Sequence, residues 1–235
     1  MHQTAPPNCR ICPYRSACLF SSLDESSKKE WIALRRARIY PKGAAIFLEG
    51  DAATNVYVAC EGKVKIYKST RMGKSLTTKI LPAGSVFGHR SLFAHEPYSA
   101  SAEAFTDAVI SKIDEKNFMK FLQRHWAAAK LILNQFAQGM REGEDKAREI
   151  AFSTAKARMA QALMSFGKKS GDQWVVVTPR KEIAQVAGVV TETCVRLIRR
   201  FENEGIVRRR DRRAIDIVNP RLLEKIAGGA LNTSQ

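Results

Sequence analysis

Glycines at positions 43, 50, 62, 73 and 84 punctuate a stretch rich in β-branched and aromatic residues, and their spacing is the tightest constraint on the fold. Intervals of this length leave room for short strands joined by tight turns and for little else. Within Val56-Tyr57-Val58-Ala59 and Gly62-Lys63-Val64-Lys65-Ile66-Tyr67 the residues alternate, placing Val64 and Ile66 on one face and the lysines on the other. The region from Ile39 to about Ile113 is therefore expected to form an antiparallel β-roll or jelly roll.

Helical periodicity flanks the roll. Asp24 to Arg38 reads as a helix with Leu23, Trp31, Ile32 and Leu34 as its apolar members. Glu115 to about Ile150 reads as one long helix in which Leu133, Phe136, Met140, Gly143, Ala147 and Ile150 recur at alternating spacings of three and four. That is the seam of a two-stranded coiled coil, and it predicts a homodimer interface. Gly143 permits close approach there but costs about 1 kcal/mol relative to alanine, so the interface is expected to be weakened and tunable. The expected class is α+β in four regions: a cysteine-rich segment 1–20, a β-roll domain 21–115, a dimerisation helix 116–150 and a C-terminal domain 151–235 whose function remains to be assigned.

Charge is the first guide to that function. The chain carries a formal +16 with an ordinary 45% hydrophobic content. An excess of that size on a folding sequence points to a polyanionic partner rather than to a disordered tail. Half of it falls on residues 151–235, which are nearly twice as basic per residue as the remainder. No apolar run approaches the roughly 18 residues of a membrane span. The first twenty residues hold Pro6, Pro7, Arg10, Pro13 and Arg15 and no apolar core of a secretion signal, so a cytoplasmic protein with no membrane partner is expected.

Within 151–235, Thr154 to Phe166 reads as a helix closed by Gly167, and Trp174 to Val177 as a strand. Thr178 is expected to cap the next helix, with Pro179 at its first position, where a missing N–H costs nothing. From Arg180 to Gly205 the pattern is helix-turn-helix: Ile183, Val186 and Ala187 bury the first helix, Gly188 turns the chain, and Val189, Cys194, Leu197, Ile198 and Phe201 bury the second. Thr191, Glu192, Val195, Arg196 and Arg199 are left to face a major groove. Arginine can donate twice to guanine and a carboxylate can accept from cytosine, so Glu192 and Arg196, four residues apart, can read neighbouring base pairs. A hairpin from Ile206 to Ile217 follows, with Arg208, Arg209, Arg210, Arg212 and Arg213 around its tip, suited to phosphates as the wing of a winged helix. No nucleophile and base pair, metal-hydrolase motif or phosphate loop argues for an enzyme.

The cysteines form the second cluster. Cys9, Cys12 and Cys18 lie within ten residues, and in a chain without an export signal they are expected to be reduced thiols awaiting a ligand rather than disulfides. Short loops between thiolates let one stretch of backbone wrap around a single bound group. Cys60 is the remaining cysteine outside the DNA-binding region and is the candidate fourth ligand; Cys194 reads as core.

Taken together, the roll segments Gly62 to Tyr67 and Pro82-Ala-Gly-Ser-Val-Phe-Gly88, the long helix and the Glu192-x-x-x-Arg196 pair resemble the CRP/FNR superfamily of bacterial transcription regulators. The C-x2-C-x5-C spacing resembles its FNR-type oxygen sensors. The resemblance implies a cyclic-nucleotide-binding-like roll, a homodimer on pseudo-palindromic promoter DNA with TTGA-like half-sites, and recruitment of RNA polymerase. It implies that Glu192 and Arg196 read the shared core of the half-site, that Arg180 holds a phosphate, and that a [4Fe-4S] cluster sits on the cysteines. Val195 stands where the FNR branch usually has serine, and Ser111 where it has its fourth cysteine. Cyclic-nucleotide binders carry a glutamate and an arginine in the roll; here His89 takes the place of the first and Tyr98-Ser99-Ala100 lacks the second, so a cyclic nucleotide is not expected. Zinc on the cysteines with His2 or another donor, a bare thiol switch, and a small effector in the roll remain the alternatives.

Overall fold

A computed structural model describes residues 3–4, 8–171, 173–211 and 214–228. The chain divides into two compact units, Met1–Lys68 with Thr78–Arg141 and Ser69–Thr77 with Glu142–Gln235. The first unit opens with β1 (Gln3–Thr4), two 3-10 turns at Arg15–Ala17 and Leu19–Ser22, and α1 (Glu25–Leu34). The roll follows as β2 (Arg36–Tyr40), β3 (Ala45–Phe47), β4 (Asn55–Glu61), β5 (Val64–Ser69), β6 (Ser75–Leu81), β7 (Val86–Phe87), α2 (His89–Ala94), β8 (Ser101–Ala104) and β9 (Ala108–Asp114). Two sheets run in the orders β1-β2-β9-β4-β7 and β3-β8-β5-β6. Aromatic rings from both, Phe47, Tyr57 and Phe87, join Tyr98 in one buried cluster, with Phe47 stacked on Tyr98 at 3.9 Å between centroids.

The helix expected from Asp24 to Arg38 is shorter. Asp24 caps it by accepting from the Ser27 amide at 2.8 Å, but it ends at Leu34 and Arg35 is already extended. The next five residues pair with β9, burying Ala37 and Tyr40, so strand pairing wins over helical propensity. Trp31, fully buried, packs on Phe121 at 5.2 Å.

The single helix expected from Glu115 to Ile150 is two helices, α3 (Glu115–Arg124) and α4 (Trp126–Phe152). α3 buries Phe118, Phe121 and Leu122 against the core of the first unit. The break falls at His125, whose ring bonds Ser27 Oγ at 2.7 Å and Glu30 Oε2 at 2.8 Å while its carbonyl accepts from Ala128. Tethering this side chain to α1 redirects the chain between the two helices. Along α4, Leu133, Met140, Gly143, Ala147 and Ile150 are exposed, and Phe136 is partly covered by edge contacts with His89 and Phe93.

In the second unit, α5 (Ala155–Phe166) is capped by Thr154 Oγ1, which accepts from the Ala157 amide, and ends at Gly167. β10 (Lys168–Ser170) and β11 (Gln173–Val177) precede α6 (Arg180–Ala187), α7 (Thr191–Asn203), β12 (Val207–Arg209), β13 (Ala214–Ile217) and α8 (Pro220–Gly228). The sheet order is β10-β11-β13-β12. β10 was not legible because Lys168, Lys169 and Ser170 are all exposed and carry no apolar alternation. Pro179 occupies the cap of α6 rather than its first position: Thr178 is buried, and the Pro179 carbonyl accepts from Glu182 and Ile183. One core joins α5, α6, α7, α8 and the sheet through Met159, Ile183, Ile198, Phe201, Ile215 and Leu223.

Candidate nucleic-acid interface and cysteine site

Gly188 turns α6 into α7 with φ +63, a left-handed conformation that glycine adopts without a Cβ clash. Arg158 braces the junction by donating to the Ala187 carbonyl at 3.0 Å. Cys194, Leu197, Ile198 and Phe201 fix the inner face of α7, so helical spacing puts Glu192, Arg196 and Arg199 outward, all exposed or nearly so. Their side chains form no hydrogen bond or ion pair among the described residues, and the Glu192–Arg196 surface pair that spacing alone would allow is not made. Arg208 on the wing strand is likewise exposed and unpaired among the described residues.

The other arginines are engaged. Arg209 Nε donates to Glu202 Oε2 at 2.5 Å and its amide donates to Glu202 Oε1 at 3.1 Å. Arg210 Nε donates to Asp216 Oδ2 at 2.8 Å and its Nη2 to Gln173 Oε1 at 3.0 Å. Arg180 is half-buried between α7 and the wing, in a shallow pocket with Thr191, Val195, Glu202, Arg209 and Arg210. It reaches the Asp211 carbonyl at 3.4 Å, its Nη1 is buried without a partner among the described residues, and burial lowers its pKa. Arg212 and Arg213 lie outside the described residues. Glu202 and Asp216 are the members of this surface that pattern reading missed. Glu202 could have been found as an acidic residue in the last turn of the helix that leads into the basic wing; Asp216 sits among apolar strand positions and offers no such signal.

Cys9, Cys12, Cys18 and Cys60 line one small cavity of about 20 Å³ with Arg35 and Gly84. Residues far apart in the chain meet there because Gly84, at φ +94, lets the Ala17–Cys18 peptide lie against it; a Cβ would come within 2.9 Å of the Ala17 carbonyl. Cys60 is placed by a bulge. β4 and β9 pair Ala59 with Ile110 and then Glu61 with Val109, leaving Cys60 as the extra residue, and such bulges re-aim side chains. Its sulfur sits 3.1 Å from the Oγ of the fully buried Ser111 on the neighbouring strand.

Arg35, absent from the sequence-based candidates, lines the same cavity. Its Nη2 donates to Cys9 Sγ at 2.8 Å and its Nη1 to Cys60 Sγ at 3.6 Å. Burial raises the pKa of Cys9 and of Cys18 above the ordinary thiol value; Arg35 opposes the shift at Cys9, and the Phe20 amide opposes it at Cys18. Among the described residues no three cysteine, histidine, aspartate or glutamate side chains are already arranged as a metal site. The donor chemistry nonetheless fits a soft, thiolate-held group: four cysteines line the cavity, and a guanidinium donates to two of their sulfurs. His2 lies outside the described residues.

A β-roll followed by a long helix and a winged helix-turn-helix whose outer face carries arginines unpaired among the described residues defines a DNA-binding transcription regulator. Residues 37–125 match the cyclic nucleotide-binding domain family and residues 157–226 match the Crp-like helix-turn-helix domain family. The chain belongs to the CRP/FNR superfamily. It is 29% identical over 192 residues to the cyclic AMP receptor protein of Thermus thermophilus, spanning 82% of this chain and 88% of that one. It is 25% identical over 175 residues to a CRP-like cAMP-activated global transcriptional regulator of Mycobacterium tuberculosis, spanning 72% and 78%. In fold it is similar to a c-di-GMP-responsive global regulator of Xanthomonas campestris, with a TM-score of 0.74 at 20% identity over 83% of this chain and 99% of that one. Its relatives are transcription regulators rather than enzymes. Among the described residues no helix is long and apolar enough to cross a membrane.

Proposed function

We propose that this regulator is a homodimer of the FNR branch, acting in the cytoplasm, that binds pseudo-palindromic promoter DNA, recruits RNA polymerase, and is governed by a [4Fe-4S] cluster held on Cys9, Cys12, Cys18 and Cys60. The observation that carries the sensor assignment is that these four cysteines, from two separate parts of the chain, line one small cavity. The cluster would supply reactivity toward oxygen or redox change. The chain's own residues supply the rest. Cys9, Cys12 and Cys18 bring their thiolates from one loop, the bulge presents Cys60, and the Phe20 amide donates to Cys18.

At the DNA, Glu192 and Arg196, exposed and unpaired among the described residues, meet base edges, with Thr191, Val195 and Arg199 beside them. Arg208 to Arg210, Arg212, Arg213 and Arg180 serve the phosphates, Arg209 and Arg210 after exchanging an internal carboxylate for an external anion. The cyclic nucleotide named for the relatives is not carried over. The roll position that would take its glutamate holds His89, buried and packed edge-on against Phe136.

Anaerobic purification with iron and sulfide measured per chain tests the sensor. About four irons and four sulfides per chain are expected for a [4Fe-4S] cluster, whereas zinc without sulfide would replace the cluster with a structural zinc or thiol site. Arg196→Ala tests the reader: losing a bidentate guanine contact should weaken specific binding by about 1 to 3 kcal/mol and relax preference at one base pair. Unchanged promoter affinity would remove α7 from the base-reading role.

A further inference from the structure

Arg35 is 2% exposed, and no carboxylate forms an ion pair with it among the described residues. Its side-chain hydrogen-bond partners there are the sulfurs of Cys9 and Cys60, and its Nε is buried with none. A guanidinium does not give up its proton in a protein, so this is a full positive charge withdrawn from water. Neutral thiols return weak hydrogen bonds and no compensating charge, which makes the metal-free arrangement costly. Four thiolates around a divalent metal, or around a [4Fe-4S] core of charge +2, leave a net charge of −2 in the same cavity. One buried guanidinium cancels half of it.

We propose that Arg35 is the resident counter-charge of the cysteine site, a positioning residue that favours assembly of an anionic four-sulfur group and raises the reduction potential of a redox-active one. The inference rests on the four cysteines acting together as ligands, as in the proposed function. It requires no particular metal. Its physical consequence is an inversion of sign between two states. Removing the charge relieves the metal-free protein and penalises the loaded one, whereas a merely structural arginine would stabilise both.

The experiment uses the full chain and its Arg35→Met and Arg35→Lys variants, reduced and metal-free. Cobalt(II) is titrated under anaerobic conditions while the thiolate-to-cobalt charge-transfer absorption is followed, and the melting of each metal-free protein is recorded. Arg35→Met is expected to bind cobalt about tenfold more weakly or worse, having lost a buried charge-assisted contact, while melting no lower than the parent in the metal-free state. Arg35→Lys keeps the charge and should retain most of the affinity. In cluster-reconstituted protein the Met variant should show a lower midpoint potential than the parent and the Lys variant a potential near the parent's. Cobalt binding by Arg35→Met as tight as the parent's would overturn the counter-charge role while leaving the cysteine ligands standing. A metal-free Arg35→Met protein that melts lower would make Arg35 a structural group. Absence of a charge-transfer band in the parent would remove the four-cysteine site, and the inference with it.

Discussion

At the scale of single residues, the molecule separates charges that are spent internally from charges that are available. Arg209 and Arg210 hold Glu202 and Asp216, whereas Arg196, Arg199 and Arg208 hold nothing among the described residues. Arg208→Ala is expected to weaken binding about equally on specific and non-specific DNA and to reduce the salt slope by about one, which affinity measured across salt concentrations will show. Arg196→Ala should instead change which sequence is preferred. His89 illustrates a different response to burial in the roll. Burial, then Arg90 and Lys79, pull its pKa down to about 4 from the ordinary 6.5. Between those values the unfolded chain binds a proton that the folded one refuses, so stability rises with pH across the window. The contribution is complete above pH 6.5 and is lost as pH falls to 4, on the order of 3 kcal/mol from the size of the shift. Melting of the parent should drop over that range, and His89→Leu should flatten the drop; an unchanged profile would put the titration elsewhere.

At the scale of elements, turns and bulges decide what the sites contain. The cysteine loop reaches the roll because Gly84 has no side chain, and both its φ and the 2.9 Å approach oppose any Cβ. Gly84→Ala is expected to push the Ala17–Cys18 peptide away and to reduce metal retained by the N-terminal cysteines, measured as metal per chain after anaerobic desalting. Binding of the basic winged surface to non-specific DNA should be preserved, since the substitution lies in the other unit. The capping of α5 by Thr154 belongs to the same scale: Thr154→Ala should cost about 1 kcal/mol, read from denaturant midpoints. Several elements were legible beforehand because their patterns were redundant. The helix-turn-helix announces itself through buried spacing, a glycine at the turn and a basic hairpin at once. The end of α1 and the split at His125 were hidden because each depends on a partner distant in sequence, β9 in one case and Glu30 in the other.

At the scale of the whole molecule, α4 carries a stripe of large apolar side chains that the described residues leave exposed. Leu133 and Met140 are 56% and 62% exposed, and they lie on the heptad seam read from the sequence. If a second copy covers them, Leu133→Glu should convert a dimer to monomers in sedimentation analysis and should raise the protein concentration needed for promoter binding. A dimer doubles the basic winged surface, so promoter affinity is expected to fall steeply as salt rises from about 50 to 200 mM. An affinity independent of salt would place the +16 charge elsewhere.

The order of domains, the β-roll, the recognition helix and the suspicion that the cysteines share a ligand were all set by the sequence itself. These features are written in local periodicity and spacing, which survive without knowledge of what packs on what. Tertiary structure alone decided that Cys60 meets Cys9, that Ser111 stands beside it, that Arg35 is buried among the sulfurs and that Glu202 and Asp216 occupy two of the wing's arginines. Each of these depends on side chains separated in the chain being brought within hydrogen-bonding distance, and on a one-residue bulge that turns Cys60 toward the loop. Neither period nor composition encodes such a meeting. It follows only from the register in which β4 and β9 pair and from the path the N-terminal loop takes across Gly84.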